Sequence, residues 1–294
     1  MKAKDDRAQS MLALSAAMVI MGTIGVFRRM IPLSSAALAL ARGVVGGGAL
    51  ALFMALRRRR WPRIGWRAGG MMALAGAMIG VNWMMLFEAY NDTTVPRATL
   101  VYYLQPTIVL LFSPLVFGER LTAKKLACAG AALVGMALVS GVLEGGLALS
   151  SREPRGLLMA LGAAMCYALV VILNKKLGET DVYARTVIEM LAAAAVMLPY
   201  TLAMGAGGAA LTGGTLALLI LVGAVHTGLT YALWFAGMRG LPAQTVSALS
   251  YIDPVTAMLV SALFLGERLT PLGLLGAALI LGAAFIGENG PDRK

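Results

Sequence analysis

Hydrophobic residues along this chain fall into ten long blocks, separated by short charged or Gly- and Pro-containing stretches. A helix needs about 20 apolar residues to cross a hydrocarbon layer of roughly 30 Å, and each block approaches that length. The pattern predicts an all-α integral membrane protein with ten transmembrane helices. The predicted helices lie near residues 8–28, 34–56, 68–90, 95–116 and 122–143 in the first half and near 156–175, 182–204, 214–238, 242–265 and 271–288 in the second.

The composition also indicates that a membrane surrounds the protein. Of the 294 residues, 59% are hydrophobic and 13% are charged, and the mean hydropathy is +0.80. Too few polar side chains remain to cover a water-exposed surface. The first block is too long for the core of a secretory signal and precedes Arg28 and Arg29 rather than a small-residue cleavage site, so we expect it to remain as a crossing helix.

The net charge of +11 would suggest a nucleic-acid partner in a soluble protein. Here the Lys and Arg residues lie between the hydrophobic blocks, which is typical of loops held at a membrane surface, so no nucleic-acid partner is expected. Seventeen of them fall on the side that bears both termini and six on the other, while Arg42 and Arg185 lie inside blocks. This bias predicts that both termini are cytoplasmic. The largest contribution is an arginine-rich loop that contains Arg57, Arg58, Arg59, Arg60, Arg63 and Arg67.

The two cysteines suggest neither a metal site nor a redox site. Cys128 and Cys166 lie inside hydrophobic blocks, and no metal-ligand spacing surrounds either of them. No metal and no cofactor are therefore expected. The Ala-, Gly- and Arg-rich composition is typical of a bacterial chain, which makes the inner (cytoplasmic) membrane the expected location and an organelle membrane the alternative.

One motif recurs in the two halves of the chain at a constant offset of 148 residues. Residues 103–106 (Tyr-Leu-Gln-Pro) match residues 251–254 (Tyr-Ile-Asp-Pro), and Gly-Glu-Arg-Leu-Thr occupies both 118–122 and 266–270. A match of this length in register argues for duplication of a five-helix unit.

Because five is an odd number, the second unit must enter the membrane from the opposite side. The predicted fold has two inverted-topology five-helix repeats, residues 1–143 and 156–294, with a connecting loop at 144–155. Exchanging the conformations of two such halves exposes the same cavity to the other side of the membrane, which is how many carriers alternate around one site at mid-depth. The inverted repeat therefore favours transport over membrane-embedded catalysis.

These paired segments, with the proline-containing runs from Pro96 to Pro106 and from Pro242 to Pro254, resemble the ten-helix EamA-type members of the drug/metabolite transporter superfamily. The resemblance covers nearly the whole chain. It implies two inverted repeats, a central cavity lined by predicted helices three, four, eight and nine, and export or exchange of small organic solutes. Such members include amino-acid exporters and sugar-nucleotide or phosphate exchangers. The first block lacks the membrane-embedded Glu of the four-helix multidrug relatives, so the resemblance does not imply their proton antiport.

Pro106 and Pro254 lie about ten residues into predicted helices four and nine, near the bilayer midplane. A proline at that depth removes a backbone donor and frees the carbonyl four residues earlier. The two prolines either make simple kinks or shape opposite walls of a cavity. Gln105 and Asp253 are the equivalent residues beside them. An ionisable Asp at mid-depth is a candidate contact for a solute or a proton, with a structural hydrogen bond to Tyr231 or the neighbouring Tyr251 as the alternative.

Other charges lie inside the predicted helices. Arg42 and Glu189 are equivalent at an offset of 147 residues. Inversion puts them at opposite depths, which argues against direct pairing, and Glu88 is the nearer expected partner of Arg42. Structural or gating pairs are favoured over solute contacts, because a lone buried charge is strongly destabilising.

Polar and aromatic residues gather at similar depth in several predicted helices, although the chain is only 7% aromatic. Among them is the single histidine, which can shuttle a proton or simply pack. The aromatic rings either pack together or stack against an aromatic or cationic solute. The candidate solute-binding residues are Asn82, Trp83, Tyr103, Gln105, His226, Tyr231, Trp234, Tyr251 and Asp253.

The repeated Gly-Glu-Arg-Leu-Thr motif falls at a helix junction in each half. Thr122 and Thr270 suit an N-cap, and Pro271 suits the first position of a helix, so the motif is interpreted mainly as turn structure. Glu119 and Glu267 are candidate gate residues that form salt bridges.

The leading interpretation is a carrier that works by alternating access and exports amino acids or related metabolites and drugs. The alternatives are a membrane-embedded enzyme, a lipid-handling protein, or an exchanger of the sugar-nucleotide or phosphate type. The single histidine and the absence of His-Glu-x-x-His and Gly-x-Ser-x-Gly motifs argue against an enzyme. The expected partners are a small solute and the lipid bilayer. The sequence leaves open whether transport is coupled to protons and whether the protein is a monomer or a homodimer.

Overall fold

The computed structural model describes residues 2–93, 95–139, 152–178, 180–205, 212–266 and 269–288. Every regular element within these ranges is a helix, so the all-helical class is confirmed. The first half contains α1 (Lys2–Gly22), α2 (Ile24–Met30), α3 (Ser35–Leu56), α4 (Trp66–Asp92), α5 (Val95–Tyr102), α6 (Gln105–Phe117) and α7 (Ala123–Val139). The second half contains α8 (Glu153–Lys176), α9 (Val182–Met204), α10 (Gly213–Leu221), a π-helical segment (Val222–Leu229), α11 (Thr230–Arg239), α12 (Ala243–Ser250), α13 (Ile252–Leu265) and α14 (Pro271–Glu288).

Most of these helices can cross a membrane. Eight helical stretches are long and apolar enough to do so, whereas α7 has 17 residues and the apolar part of α14 is shorter than a full crossing. Residues 140–143 of predicted helix five and residues 144–151 of the predicted connecting loop lie outside the described residues. The eight stretches are Asp6–Arg28, Ser35–Leu56, Trp66–Asp92, Arg97–Phe117, Glu153–Lys176, Val182–Met204, Gly213–Arg239 and Ala243–Phe264.

Predicted helices four and nine are each broken into two helices rather than merely kinked. The breaks fall just before Pro106 and Pro254, because a proline inside a helix cannot donate to the carbonyl four residues earlier and clashes with it. Each proline instead lies in the first turn of a new helix, where its missing N–H costs nothing. Both new helices end at a glycine in the left-handed region, Gly118 and Gly266, each with a φ of 68°. The repeat in sequence is therefore also a repeat in backbone geometry.

The arginine-rich loop marks one end of the helix bundle. Arg59 forms an ion pair with Asp181 at the start of α9 (3.7 Å), and Arg239 at the end of α11 donates to the carbonyl oxygen of Thr180 (3.3 Å). Glu119, in the loop after α6, contacts the first residues of α12 close to Arg239 in the chain. We call this end, with its arginine-rich loop, the basic face.

Ion pairs also join loops at the other end of the bundle. Glu153 at the start of α8 accepts from the Thr93 hydroxyl and pairs with Arg97 (3.3 Å), and Arg155 pairs with Asp92 (3.4 Å). We call this end the opposite face. Successive loops thus alternate between the two faces, as expected for short connections between antiparallel helices.

Glycines bring α4 and α9 into backbone contact. A Cβ atom on Gly76 would lie 2.3 Å from the carbonyl oxygen of Glu189, and one on Gly80 would lie 2.8 Å from that of Ala193. In lipid, helices are held together by such close packing rather than by exclusion of water. The close approach of α4 and α9 therefore depends on Gly76 and Gly80.

Candidate functional site

The two helix breaks meet at the centre of the bundle. The rings of Tyr103 and Tyr251, equivalent residues of the two halves, stack with their centroids 6.4 Å apart. The Tyr251 hydroxyl donates to the Tyr103 carbonyl oxygen (3.2 Å) and shares a hydrogen bond with the Thr107 hydroxyl (3.1 Å). The Tyr103 hydroxyl donates to the carboxylate of Asp253 (2.8 Å). Asp253 thus forms a structural hydrogen bond, but with Tyr103 rather than with the expected Tyr231 or Tyr251.

Asp253 carries an ionisable group that is only partly shielded from its surroundings. It lies in the first turn of α13, where the helix dipole stabilises a carboxylate, and its side chain is only partly buried. Tyr103 is the one hydrogen-bond donor to Asp253 among the described residues, so the carboxylate keeps lone pairs for a solute or water. Its counterpart Gln105 is buried in the first turn of α6.

A chain of aromatic rings extends from this junction through the bundle. Each ring contacts the next with centroids 5.3–6.4 Å apart, in mostly tilted or edge-to-face geometry. Two members, Tyr102 and Tyr167, are not among the residues predicted from the sequence, although Tyr102 directly precedes Tyr103 and Tyr167 lies at mid-depth in an apolar helix. In order, the rings are Tyr103, Tyr102, Tyr167, Trp234, Tyr231 and Trp83. We call these six residues the aromatic chain.

Asn82 supports the aromatic chain. Its amide nitrogen donates to the carbonyl oxygen of Ala163 on α8 (2.6 Å), and its oxygen accepts from the Tyr102 hydroxyl (3.5 Å). Trp234, by contrast, is fully buried, and its indole nitrogen has no hydrogen-bond partner among the described residues. In this conformation Trp234 is a packing residue.

Arg42 lies at the far end of the aromatic chain. Its guanidinium carbon is 5.3 Å from the centroid of Trp83, and its Nε donates to the Thr227 hydroxyl (3.0 Å). The expected pair with Glu88 does not form, since Glu88 accepts from the Tyr200 hydroxyl instead. Five residues separate Trp83 from Glu88, which puts Glu88 on another side of α4. A cation and a carboxylate, Arg42 and Asp253, therefore flank the aromatic chain.

His226 lies apart from the aromatic chain. Its Nε2 is 2.9 Å from the Thr23 hydroxyl at the junction of α1 and α2, and its ring contacts Phe27 with centroids 4.7 Å apart. The π-helical segment that carries His226 packs closely against Gly46 of α3. Among the described residues, the ring of His226 contacts Phe27 and none of the rings of the aromatic chain.

Glu189 and Arg42 make no contact with each other, in agreement with the argument from their depths. Glu189 is fully buried in α9 and accepts a hydrogen bond from Asn174 of α8 (3.1 Å). Nearby, Arg185 is also fully buried, with Asn174, Gly178 and Thr180 as its acceptors. From the sequence, Arg185 is placed inside a predicted helix and has no predicted role.

Glu119 binds another helix rather than a salt-bridge partner. Its two carboxylate oxygens accept from the backbone N–H groups of Ala243 (2.7 Å) and Gln244 (3.2 Å), the first residues of α12. A carboxylate at a helix N-terminus satisfies unpaired amides and interacts favourably with the helix dipole. Glu267, the repeat equivalent, lies outside the described residues.

Polar contacts continue from Glu119 along the interface of α6 and α12. Gln244 donates to the Ser113 hydroxyl (2.8 Å), and the Ser247 hydroxyl donates to the Pro106 carbonyl oxygen. All of these side chains are buried. The repeat-equivalent helices are α13 and α5, and no comparable interface joins them within the part of the chain that the structure describes. The two related helix pairs are therefore packed unequally, with the closed pair towards the basic face.

Glu119→Ala is expected to loosen this closed interface. Hydrogen bonds to charged groups contribute about 1.5–3 kcal/mol, so losing about 2 kcal/mol shifts the closed-to-open ratio roughly thirtyfold. The measurement is the rate at which a membrane-impermeant maleimide labels a cysteine at Ser247, with Cys128 and Cys166 first replaced by serine. Arg120→Ala, at the exposed neighbour in the same loop, is the control and should leave the rate unchanged. Equal labelling rates in Glu119→Ala and the control would contradict a closing role for Glu119.

A wide cleft opens at the basic face between α1, α8 and α11. Its volume is about 640 Å³, and its polar lining includes Asp6, Gln9, Asn174, Lys175 and Arg239. Among the described residues, no group of three or more His, Cys, Asp or Glu side chains could hold a metal ion.

The sequence matches known proteins over most of its length. The model of the EamA-like transporter family matches twice, at residues 9–141 and 154–286. An uncharacterized transporter, YxxF of Bacillus subtilis, is 29% identical over 70% of this chain and 65% of its own length. Protein RarD of Streptomyces exfoliatus is 29% identical over 97% of this chain and 90% of its own. The threonine/homoserine exporter RhtA of Escherichia coli K12 is 32% identical over 47% of this chain and 46% of its own.

The fold also matches a solved crystal structure. The two superpose with a TM-score of 0.81 over 95% of this chain and 97% of the other, at 21% sequence identity. At that identity the likeness concerns the fold alone.

Proposed function

Because the chain belongs to the EamA-like transporter family and is a multi-pass bacterial membrane transporter, we propose that it exports amino acids or related metabolites by alternating access. The observation that carries this proposal is the unequal packing of two repeat-related helix pairs around one junction. In an inverted repeat, exchanging the two packings closes one side of the site and opens the other. Asp253 and the aromatic chain lie where that exchange occurs.

The proposed topology has ten crossings in two inverted five-helix repeats, with both termini in the cytoplasm. Two matches of one family model, at 9–141 and 154–286, support residues 1–143 and 156–294 as copies of one unit. The arginine-rich loop on the basic face supports a cytoplasmic basic face, since such loops are costly to translocate. The closed α6–α12 interface then seals the cytoplasmic side, and the described conformation faces outwards.

The charges at the ends of the aromatic chain support a solute that carries an ammonium or a carboxylate group, as amino acids do. Arg42 suits a carboxylate, and Asp253 suits an ammonium group. The rings between them provide a surface for an apolar side chain or for cation–π contact. A relative named as a threonine/homoserine exporter supports the same class.

Counterflow in proteoliposomes tests this function. Vesicles loaded with a pool of unlabelled amino acids, amines and sugar phosphates are diluted into trace amounts of each labelled compound. Protein-dependent uptake of labelled amino acids is the expected result. Uptake of sugar phosphates alone would favour the exchanger, and no uptake of any compound would contradict the carrier. Protein-free vesicles and vesicles carrying Asp253→Asn are the controls.

A further inference from the structure

Glu189 is a buried carboxyl group with an unfilled hydrogen-bonding position. Its side chain is fully buried in α9, and Asn174 Nδ2 donates to Oε2 (3.1 Å). Oε1 is buried and has no hydrogen-bond partner among the described residues. A carboxylate with one bare oxygen at this depth is energetically expensive, and such groups in membrane helices commonly mark ion or proton pathways.

The neighbouring cations make no direct ion pair with Glu189 among the described residues. Arg185, on the same helix, donates to Asn174 Oδ1 (3.3 Å) and the Gly178 carbonyl oxygen (2.9 Å), and no salt bridge to Glu189 occurs within the described ranges. Arg42 of α3 contacts Thr227 and Trp83.

The remaining helices around Glu189 add little charge. From α11, Tyr231 interacts electrostatically with Glu189, and Arg239 acts on Arg185. On the α4 side, Gly76 faces the Glu189 backbone and brings no ionisable group. Arg185, one helical turn away, acts on the Glu189 carboxylate electrostatically, with Asn174 bridging the two side chains, so Glu189 has a nearby cation but no direct salt bridge within the described ranges.

Asn174 lies between this carboxyl group and the cleft on the basic face. Its side chain bonds to Glu189 and also lines the cleft of about 640 Å³ on the basic face. Arg185, one turn before Glu189, lies with its guanidinium carbon 5.9 Å from the centroid of Phe235, and the Phe235 ring packs on Trp234 of the aromatic chain with centroids 5.1 Å apart. The carboxyl group thus lies between the cleft and the proposed solute site.

We propose that Glu189 is a proton-binding site that couples solute export to proton entry. This inference rests on the proposed transport function. In the described conformation the solute site faces the opposite face, while Glu189 meets the basic face through Asn174. In each state the solute site and Glu189 therefore face opposite sides of the membrane. One transition releases the solute outwards and the proton into the cleft, so one proton is exchanged for one solute. The only bond change is the binding or loss of a proton at the Glu189 carboxylate.

Infrared spectroscopy tests the proton site without any solute. Wild-type protein is expected to show the C=O stretching band of a protonated carboxyl group, and Glu189→Gln is expected to lose it. Asp181→Asn is the matched control, since it also changes a carboxyl to an amide on α9 and keeps the N-cap to Ala184. Asn174→Leu is expected to keep the band and to slow its shift in D₂O by closing the path from the cleft. A band that persists unchanged in Glu189→Gln, or no band in wild type, would overturn the proposal.

A transport assay in proteoliposomes distinguishes a failure of proton coupling from a failure of the proposed transport function. Proteoliposomes hold equal concentrations of labelled L-threonine, or of the amino acid that gives counterflow, inside and outside, and a pH jump is applied. In wild type and Asp181→Asn, the solute is expected to move in the direction opposite to the flow of protons. Glu189→Gln is expected to keep counterflow and to lose this net movement. Counterflow without a pH response in wild type would overturn coupling alone. Absence of counterflow in wild type counts against the transport function, while the infrared result still decides the proton site.

Discussion

Asp253→Asn is expected to lower the rate of amino-acid counterflow about a hundredfold, since charge-assisted hydrogen bonds contribute up to about 3 kcal/mol and each 1.4 kcal/mol is a factor of ten. The amide keeps the shape and the hydrogen bond from Tyr103 but loses the charge that an ammonium group would meet. Tyr103→Phe removes the donor and keeps the charge, so a smaller loss is expected. The measurement is initial counterflow rate per reconstituted protein.

Asp92→Asn is the matched control for this prediction. Asp92 is also a carboxylate in a spanning helix, but it pairs with the exposed Arg155 at the opposite face, away from the aromatic chain. Its replacement should leave the rate within about threefold of wild type, because its ion pair lies at the opposite face and involves no residue of the aromatic chain. Wild-type counterflow in Asp253→Asn would remove Asp253 from the solute site.

Gly76→Ala is expected to destabilise the protein by about 3 kcal/mol or more, beyond the usual range for an added methyl group. The new Cβ would lie 2.3 Å from the Glu189 carbonyl oxygen and 2.6 Å from its Cα, and backbone atoms of a packed helix cannot turn aside as a side chain can. Thermal unfolding in detergent, followed by the midpoint temperature, is the measurement.

Gly70→Ala gives this prediction a control of opposite sign. Gly70 lies in the same helix, and no neighbouring atom lies within 4 Å of a Cβ placed there. Alanine is favoured over glycine in a helix by up to about 1 kcal/mol, so Gly70→Ala should leave the midpoint unchanged or raise it. A rise in both variants would show that α4 and α9 are not in the described contact.

The helical architecture was predictable because its causes are local. Crossing length and apolar content depend on each block alone, and the effects of Pro106 and Pro254 fall within one turn of their own helices. The matching left-handed glycines, Gly118 and Gly266, likewise follow from the repeated motif. The sequence could not distinguish a kink from a complete break, since that depends on what packs beside the freed carbonyl.

The partners of polar side chains were less predictable because they depend on the rotation and depth of distant helices. Glu119 binds amides 124 residues away along the chain, which no local pattern indicates. Arg42 and Glu88 have suitable charges and compatible depths, yet the rotation of α4 presents Trp83 to Arg42 instead. His226 shares a depth with the aromatic chain but faces Thr23. The sequence indicated how deep these side chains lie in the membrane, but not towards which side of its helix each one points.

The inverted repeat is tested most directly by the sidedness of its two Gly-Glu-Arg-Leu-Thr motifs. In a background with Cys128 and Cys166 replaced by serine, single cysteines are introduced as Arg120→Cys and Glu267→Cys and labelled in intact cells and in inverted vesicles with an impermeant maleimide. Labelling of position 267 only in intact cells and of position 120 only in inverted vesicles is the predicted result. Labelling of both positions from one side would contradict the inverted topology and, with it, the proposed exchange of packings.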